Sequence, residues 1–490
     1  MKKIVFLACL LMALAAVTSA QTTISVGPAS RGFNAVHAAN ALVVDEDATS
    51  LLMVTNKSAV LSKSTDPKNL LVRKVDKSLS VLNEVEIPHT DDMKLMAAST
   101  DGNHVAMLYS DRSRRSTQVY RTLVDRTSFQ VVSTDVVYTA DLERRDENHV
   151  WTYTSQNGHY TGLVSVLVNK SGEYSCDILM FDAQFALLWE RQFSLQAVSD
   201  IFVSDHGEVY VAGFHRKDLQ TKVYFERMTA SDEASDSTLV QEGLLSLAIV
   251  NVAEGRILVG GATYSTESHR HDNYASGFYA LSFNMDSHQQ MGFSVAQLTH
   301  DDLAVFLDQK QSAKIRKTYV EQLIIDRTCA TEYGGSLSFF TPFNMQETSS
   351  NGEVTQYFSH IGYVVLGVDF SGRVLFNAPF RHYQSQVNGY NLLNAPLTSD
   401  GKFVYFAHTE SKKSPDNYDI AKRTKKVTTL RDKCSNVLYV ISNSGEVTKT
   451  FLSTKQKSVL LGRTQSWLNN SYYFFNTHGR ASQLVQLKSE

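Results

Sequence analysis

The chain has 490 residues, of which 43% are hydrophobic and 20% charged, and its formal net charge is −3. Such a polypeptide folds rather than staying disordered, and it is longer than one ordinary core requires. It lacks the basic excess that nucleic-acid binding demands.

Residues 1–20 read as a secretory signal: a basic Lys2-Lys3, an apolar stretch Ile4 to Val17, and small Thr18-Ser19-Ala20 before Gln21. The stretch is too short to span a bilayer, and no other segment holds the roughly 18 apolar residues a span needs. The protein is therefore expected to be exported, to the periplasm or the cell surface, without a transmembrane segment. Cys9 leaves with the signal, so Cys176, Cys329 and Cys434 remain; one bridge, Cys329 to Cys434, and three buried thiols are both open.

Along the rest of the chain one phrase recurs seven times: an apolar run, a turn former, then a second apolar run. Its turn formers are Asp76, Asp125, Asp182, Thr229, Asp286, Asp369 and Ser442, spaced 47 to 83 residues apart. A second phrase alternates with it, a Gly- or Asn-containing turn before a dense apolar run, as at Asp101-Gly102, His206-Gly207, Glu254-Gly255, Gly334-Gly335 and Asp400-Gly401. Self-similarity at this period, with strand-like runs, predicts an all-β propeller of four-stranded antiparallel blades. The aspartates are expected to cap their own turns rather than to do chemistry.

The predicted blades lie near 33–88, 94–138, 147–195, 198–243, 245–298, 320–381 and 391–453. Residues 457–490 supply three further strands, and Thr22 to Val26 a fourth, so the mature N-terminus is expected to close an eighth blade. Seven blades is the alternative. With few Pro and no linker, 21–490 reads as one domain.

In such blades the A–B and C–D turns share one face, and the B–C and D–A connections share the other. The second set holds every sizeable insertion, clustered in blades five to seven, which marks one sector as the expected binding surface. Segment 299–319 contains Leu303, Phe306 and Leu307 at helical spacing, a stripe that either docks on the propeller or faces a partner. Segment 341–359 brings Phe343, Tyr357 and Phe358, and 381–390 brings Arg381, His382, Tyr383 and Tyr390. Segment 409–433 is locally basic, with Lys422, Arg423, Lys425 and Lys426, and suits an acidic partner or remains a solvated loop.

Chemistry is sparse. His269, His271 and Asp272 are the best metal candidates, an incomplete ligand set in one loop. Asp111, His215, His408 and His478 follow second strands and could border a channel-mouth pocket. Phosphate-loop, nucleophile-elbow, zinc-protease and EF-hand motifs are absent, so no catalytic residue, resident metal or cofactor is assigned.

Ser19-Ala20 before Gln21, together with Gly334-Gly335-Ser336-Leu337 and the later hairpin Tyr363 to Phe376, resembles secreted propellers of Bacteroidota cell envelopes. More distantly, the chain is similar to eight-bladed quinoprotein-like propellers and their assembly scaffolds, whose docking Trp is matched by Trp189. The other repeated Trp residues of that class are missing, which argues against a quinone. The resemblance implies a non-catalytic envelope scaffold with a protein partner, with an outer-membrane complex as one setting. The alternative is a carbohydrate-active or other hydrolytic propeller acting at the channel mouth, with glycan as ligand.

Overall fold

The computed structural model describes residues 23–31, 41–56, 70–87, 94–113, 115–143, 147–170, 174–193, 198–217, 220–231, 235–264, 274–306, 320, 322–350, 353–387, 395–412, 416–419, 427–428, 433–456, 458–461, 468, 470–478 and 481–489. Residues 1–20, read above as a signal, lie outside them.

Eight antiparallel sheets form a ring, each of four strands except one that gains a fifth. Blades I to VII span 42–87, 94–141, 147–193, 200–242, 248–297, 324–387 and 397–456. In each, the first strand (A) lies innermost: the A strands of blades I–VII sit side by side around the axis, and B, C and D follow outward. Blade VIII takes Ser458–Leu461, Ser471–His478 and Ala481–Lys488, and its outermost strand is Thr23–Val26 from the other end of the chain. Ile24 stands opposite Leu487 and Val26 opposite Val485. The Gly27 amide then donates to the Leu484 carbonyl at 2.8 Å. The ring is thus eight-bladed and fastened by its N-terminal strand, which leaves no blade incomplete.

The turn chemistry explains why the chain reverses where it does. Asp76 accepts from the amides of Ser78 and Ser80, Asp125 from Thr127 and Ser128, Asp182 from Gln184 and Ala186, and Asp369 from Ser371 and Arg373. Blade V departs from the pattern. There Asn284 caps the turn, accepting from Ser287 at 2.7 Å, and Asp286 instead meets Arg227 at 3.3 Å. Gly372 and Gly445, at φ 73° and 83°, take the left-handed position three residues after Asp369 and Ser442; Leu79 and Phe185 hold the equivalent place, buried, at φ 64° and 55°.

The core consists of seams between neighbouring blades. At the V/VI seam Phe278, Leu258, Leu337, Phe339, Val364 and Leu366 are wholly buried. Burying one such side chain stabilises by about 1.5–3 kcal/mol. A helix, α1 (His300–Phe306), covers this seam. Thr299 caps it: the Thr299 hydroxyl accepts from the Asp302 amide at 3.1 Å while the Asp302 carboxylate accepts from the Thr299 amide at 2.7 Å. The same carboxylate accepts from Asn377 of blade VI at 2.7 Å, tying helix to sheet. Gly362, at φ 64°, lets the helix approach, because a Cβ there would lie 2.4 Å from the Val305 carbonyl oxygen.

Candidate functional site

The two faces of the ring are unequal, as the sequence predicts. In blade VI the B and C strands, Gly334–Ser350 and Glu353–Asp369, each have 17 residues, and they pair along their whole length up to Ser350 opposite Glu353. The A strand ends its pairing at Phe340, so the hairpin runs on beyond the ring by about 30 Å at roughly 3.3 Å per residue. Strand D, Val374–Val387, follows it as far as Tyr357. Part of the basic insertion, Val427–Thr428, adds a fifth strand parallel to Gln384–Ser385. Among the described residues, the blade VI hairpin, α1 and the Val427–Thr428 strand therefore gather on blades V to VII as one raised sector.

Phe343, Tyr357 and Phe358 lie on the raised hairpin, and their side chains are outside the described part. Tyr383 is half-buried on strand D opposite Ile361. Tyr390, Lys422, Arg423, Lys425 and Lys426, and the metal candidates His269, His271 and Asp272, fall outside the described residues. Phe306 requires correction as a partner-binding candidate. It is 2% exposed and packs in the V/VI seam with Leu303 and Val305, because the apolar stripe of α1 is what closes that seam. The basic insertion is likewise not wholly solvated. Tyr418 donates to the Pro379 carbonyl at 2.7 Å and its ring lies 5.5 Å from Phe380 and 5.8 Å from Tyr439.

Beneath this sector the VI/VII seam holds what no other seam does among the described residues: a buried cluster of ionisable side chains. Alternation along strand D of blade VI puts Phe380, His382 and Gln384 on the face toward blade VII. Along strand B of blade VII (Val404–Ser411) it puts Phe406, His408 and Glu410 on the facing side. His382 Nδ1 and His408 Nδ1 meet at 3.2 Å. His408 Nε2 lies 3.5 Å from Glu410 Oε1, and Lys449 Nζ donates to Glu410 Oε2 at 2.8 Å from a side chain only 2% exposed. The Tyr439 hydroxyl also donates to Glu410. His360 stacks on Phe340 at 4.0 Å, and Tyr363 stands 5.0 Å from His382.

Burial sets the titration of this cluster. It pushes His360 and His408 down to about 4 and His382 well below the usual imidazole range, and it drives the Tyr363 and Tyr439 phenols upward. The rings are therefore neutral at pH 7, and an Nδ1–Nδ1 contact between neutral imidazoles needs one donor and one acceptor. The pair abuts a carboxylate held by Lys449 and Tyr439. Among the described residues, His360 Nδ1, His382 Nε2 and His408 Nε2 have no hydrogen-bond partner.

Asp326 belongs to the same seam. It occupies a bulge of the innermost strand between Ile325 and Arg327; equivalent bulges in blades I, II and V carry Val44, Met96 and Val250. Burial raises the Asp326 carboxyl to about 6 against the opposing pull of Arg327, and its Oδ2 is shielded and unpartnered among the described residues. From the other end of the cluster a line of amides leads to the ring closure. Thr409 donates to Asn436 at 2.8 Å, Asn436 to Asn476 at 2.6 Å, Asn476 to Gln483 at 3.0 Å, and Gln483 to the Gly27 carbonyl at 3.3 Å.

The seam contains no assembled nucleophile, and no group of three His, Cys, Asp or Glu among the described residues converges as metal ligands. Asp111, His215, His408 and His478 occupy four different blades, and of these His408 is buried in the VI/VII seam. Cys329 and Cys434, in adjacent blades, are not joined in a disulfide, and neither is Cys176 in blade III. Sequence reasoning singled out His382 and His408 separately but missed Glu410, Lys449 and Asp326. The available signal was the two-residue spacing of Phe406, His408 and Glu410, polar groups continuing the buried face of a strand.

No protein-family model matches this chain, and no curated protein is similar to it. Solved structures with a similar fold include Sqt1 of Chaetomium thermophilum bound to the N-terminus of ribosomal protein L10, at 12% identity and a TM-score of 0.36, covering 90% of this chain and 94% of that one. The acylaminoacyl peptidase of Pyrococcus horikoshii matches at 11% identity and 0.33, covering 82% and 57%. The Dos1 propeller matches at 8% and 0.33, covering 73% of each. Likenesses this distant carry no functional argument.

Proposed function

We propose that this protein is an exported, non-catalytic scaffold of the cell envelope, periplasmic or surface-facing, that holds a protein partner on the raised sector of blades V to VII. The observation that carries the reading is the blade VI hairpin. A propeller blade needs no strands of 17 residues to complete its seam, and this one projects sheet well beyond the ring. Its B strand has no inner neighbour after Phe340 among the described residues, so 341–350 offer an edge to an incoming strand. The signal segment supports export, and no helix among the described residues is long and apolar enough to cross a membrane. Membership of an outer-membrane complex fits this reading, with the basic 409–433 insertion meeting an acidic part of the partner.

The test is co-purification from native envelope with full-length protein and with a variant whose hairpin is shortened by removing residues 345–356. The shortened protein should keep its melting temperature and lose the partner. Equal recovery of the same partner by both proteins would overturn the assignment.

A further inference from the structure

Trp151 is 44% exposed, although it lies on the innermost strand of blade III, Glu147–Thr154. A side chain there reaches solvent through the central channel. Alternation places Glu147, His149, Trp151 and Tyr153 on one face, and that face turns toward blade IV. Tyr153 packs against the III/IV core with Ile201 and Val203, whereas Val150, on the opposite face, packs toward blade II. Blade IV's innermost strand, Asp200–Val203, covers Tyr153, whereas Trp151, His149 and Glu147 remain exposed. Val198, just before that strand, is itself exposed.

Trp151, His149 and Glu147 thus form an exposed strip along the inner strand. Glu147 opens the strand at the loop-bearing face, and Trp151 lies about 13 Å further in at roughly 3.3 Å per residue. The His149 and Trp151 rings are nearly parallel, 5.7 Å apart at 19°, and His149 Nε2 is 3.6 Å from Glu147 Oε2. Trp189, by comparison, is docked, its indole donating to the Gly207 carbonyl at 3.3 Å.

We infer that this strip binds a pyranose ring of a neutral glycan. An indole face is a flat apolar platform of the size of a sugar's C–H face, and a large aromatic surface left in water gains from being covered. The imidazole and carboxylate beside it can donate to and accept from ring hydroxyls, which gives the few fixed polar groups that orient a ligand on an apolar wall. The strand carries no Lys or Arg, and Glu147 repels anions, so the chemistry disfavours phosphorylated or sulfated ligands. The site lies in blade III, apart from the partner sector, and does not depend on that reading.

The experiment is a glycan array probed with the full mature chain, followed by calorimetric titration of the strongest neutral oligosaccharide. Wild type should bind neutral glycans and show a shift in Trp emission. Trp151→Ala should lose at least tenfold in affinity with an unchanged melting temperature, while Trp189→Phe keeps the emission response. His149→Ala, a second exposed change, should weaken binding several-fold. Absence of any neutral-glycan binding, binding confined to anionic glycans, or a Trp151→Ala protein that binds like wild type would each overturn the inference, and none of them touches the protein-partner assignment.

Discussion

Blade VI has two neighbours and treats them oppositely. Toward blade V it presents Leu337, Phe339, Val364 and Leu366, and the seam is dry, apolar and sealed by α1. Toward blade VII it presents Tyr363, His382 and Asp326, and the seam is laced with His408, Glu410 and Lys449 under the Tyr418 insertion. The same sheet thus stores stability on one side and dependence on satisfied polar contacts on the other. An apolar seam tolerates local error in proportion to lost volume. A buried polar seam is sensitive to the loss of any one partner, because the survivor has no water to turn to.

The largest expected effect is on the apolar side. Phe339→Ala removes a wholly buried ring that packs 4.8 Å from Phe278, and it should cost about 3–5 kcal/mol in denaturant unfolding. If the loss is under about 1 kcal/mol, the V/VI seam is not the cohesive one.

On the polar side, Glu410→Gln leaves the Lys449 ammonium buried without its carboxylate and should cost about 3 kcal/mol. Adding Lys449→Met should recover most of that loss, since replacing a whole buried ion pair is near neutral while breaking it is not. A double variant as unstable as the single one would mean that the pair is held for its geometry and not for mutual compensation. Unfolding monitored by urea titration separates the two outcomes.

The pH dependence sharpens the contrast further. The His360, His382 and His408 rings are held neutral in the fold, with folded values depressed, to about 4 in His360 and His408. At pH 7 and above, folded and unfolded rings are alike neutral. As pH falls below the ordinary 6.5, the unfolded chain takes up protons that the folded seam refuses, so stability drops between about 6.5 and 4. Asp200 and Asp326 act in the opposite sense: their folded values are raised to about 6, so their unfavourable contribution is relieved as pH falls through that value. The difference between wild type and His408→Leu cancels the carboxyl contribution. Its stability should decline less steeply than wild type from pH 6.5 to 4.5; parallel curves would place the acid sensitivity elsewhere.

The fold was legible because each strand junction carries its own chemistry. Asp76, Asp125, Asp182 and Asp369 announce turns that their carboxylates then cap, and even blade V keeps the turn while moving the capping role to Asn284. The closing strand was legible from a deficit, since 457–490 lacked one strand and Thr22 to Val26 lacked a partner. The polar seam was not, because its members come from separate blades and nothing local says which faces meet. The Phe380-His382-Gln384 and Phe406-His408-Glu410 alternations are visible in the sequence, but only the ring order brings them face to face. Trp151 escaped for a related reason: which side chains of its strand are covered depends on the next blade's inner strand, Asp200–Val203.

The smallest effect tests what covers each seam. Over V/VI the cover is a capped helix whose stripe is part of the core. Over VI/VII it is an insertion held by the Val427–Thr428 strand beside Gln384–Ser385 and by Tyr418, which makes one hydrogen bond to the Pro379 carbonyl and ring contacts with Phe380 and Tyr439. Tyr418→Phe keeps the rings and deletes the hydrogen bond, so it should cost about 1 kcal/mol globally. Locally it should matter more. The 416–419 part of the cover opens in sub-global steps when the Tyr418 contact is lost. Hydrogen exchange of amides 416–419 and 434–439 should therefore accelerate, while amides 303–306 of α1 remain as protected as before. Unchanged exchange across 434–439 would show that Tyr418 rests on the seam without closing it, and the asymmetry between the two sides of blade VI would then lie in the side chains alone.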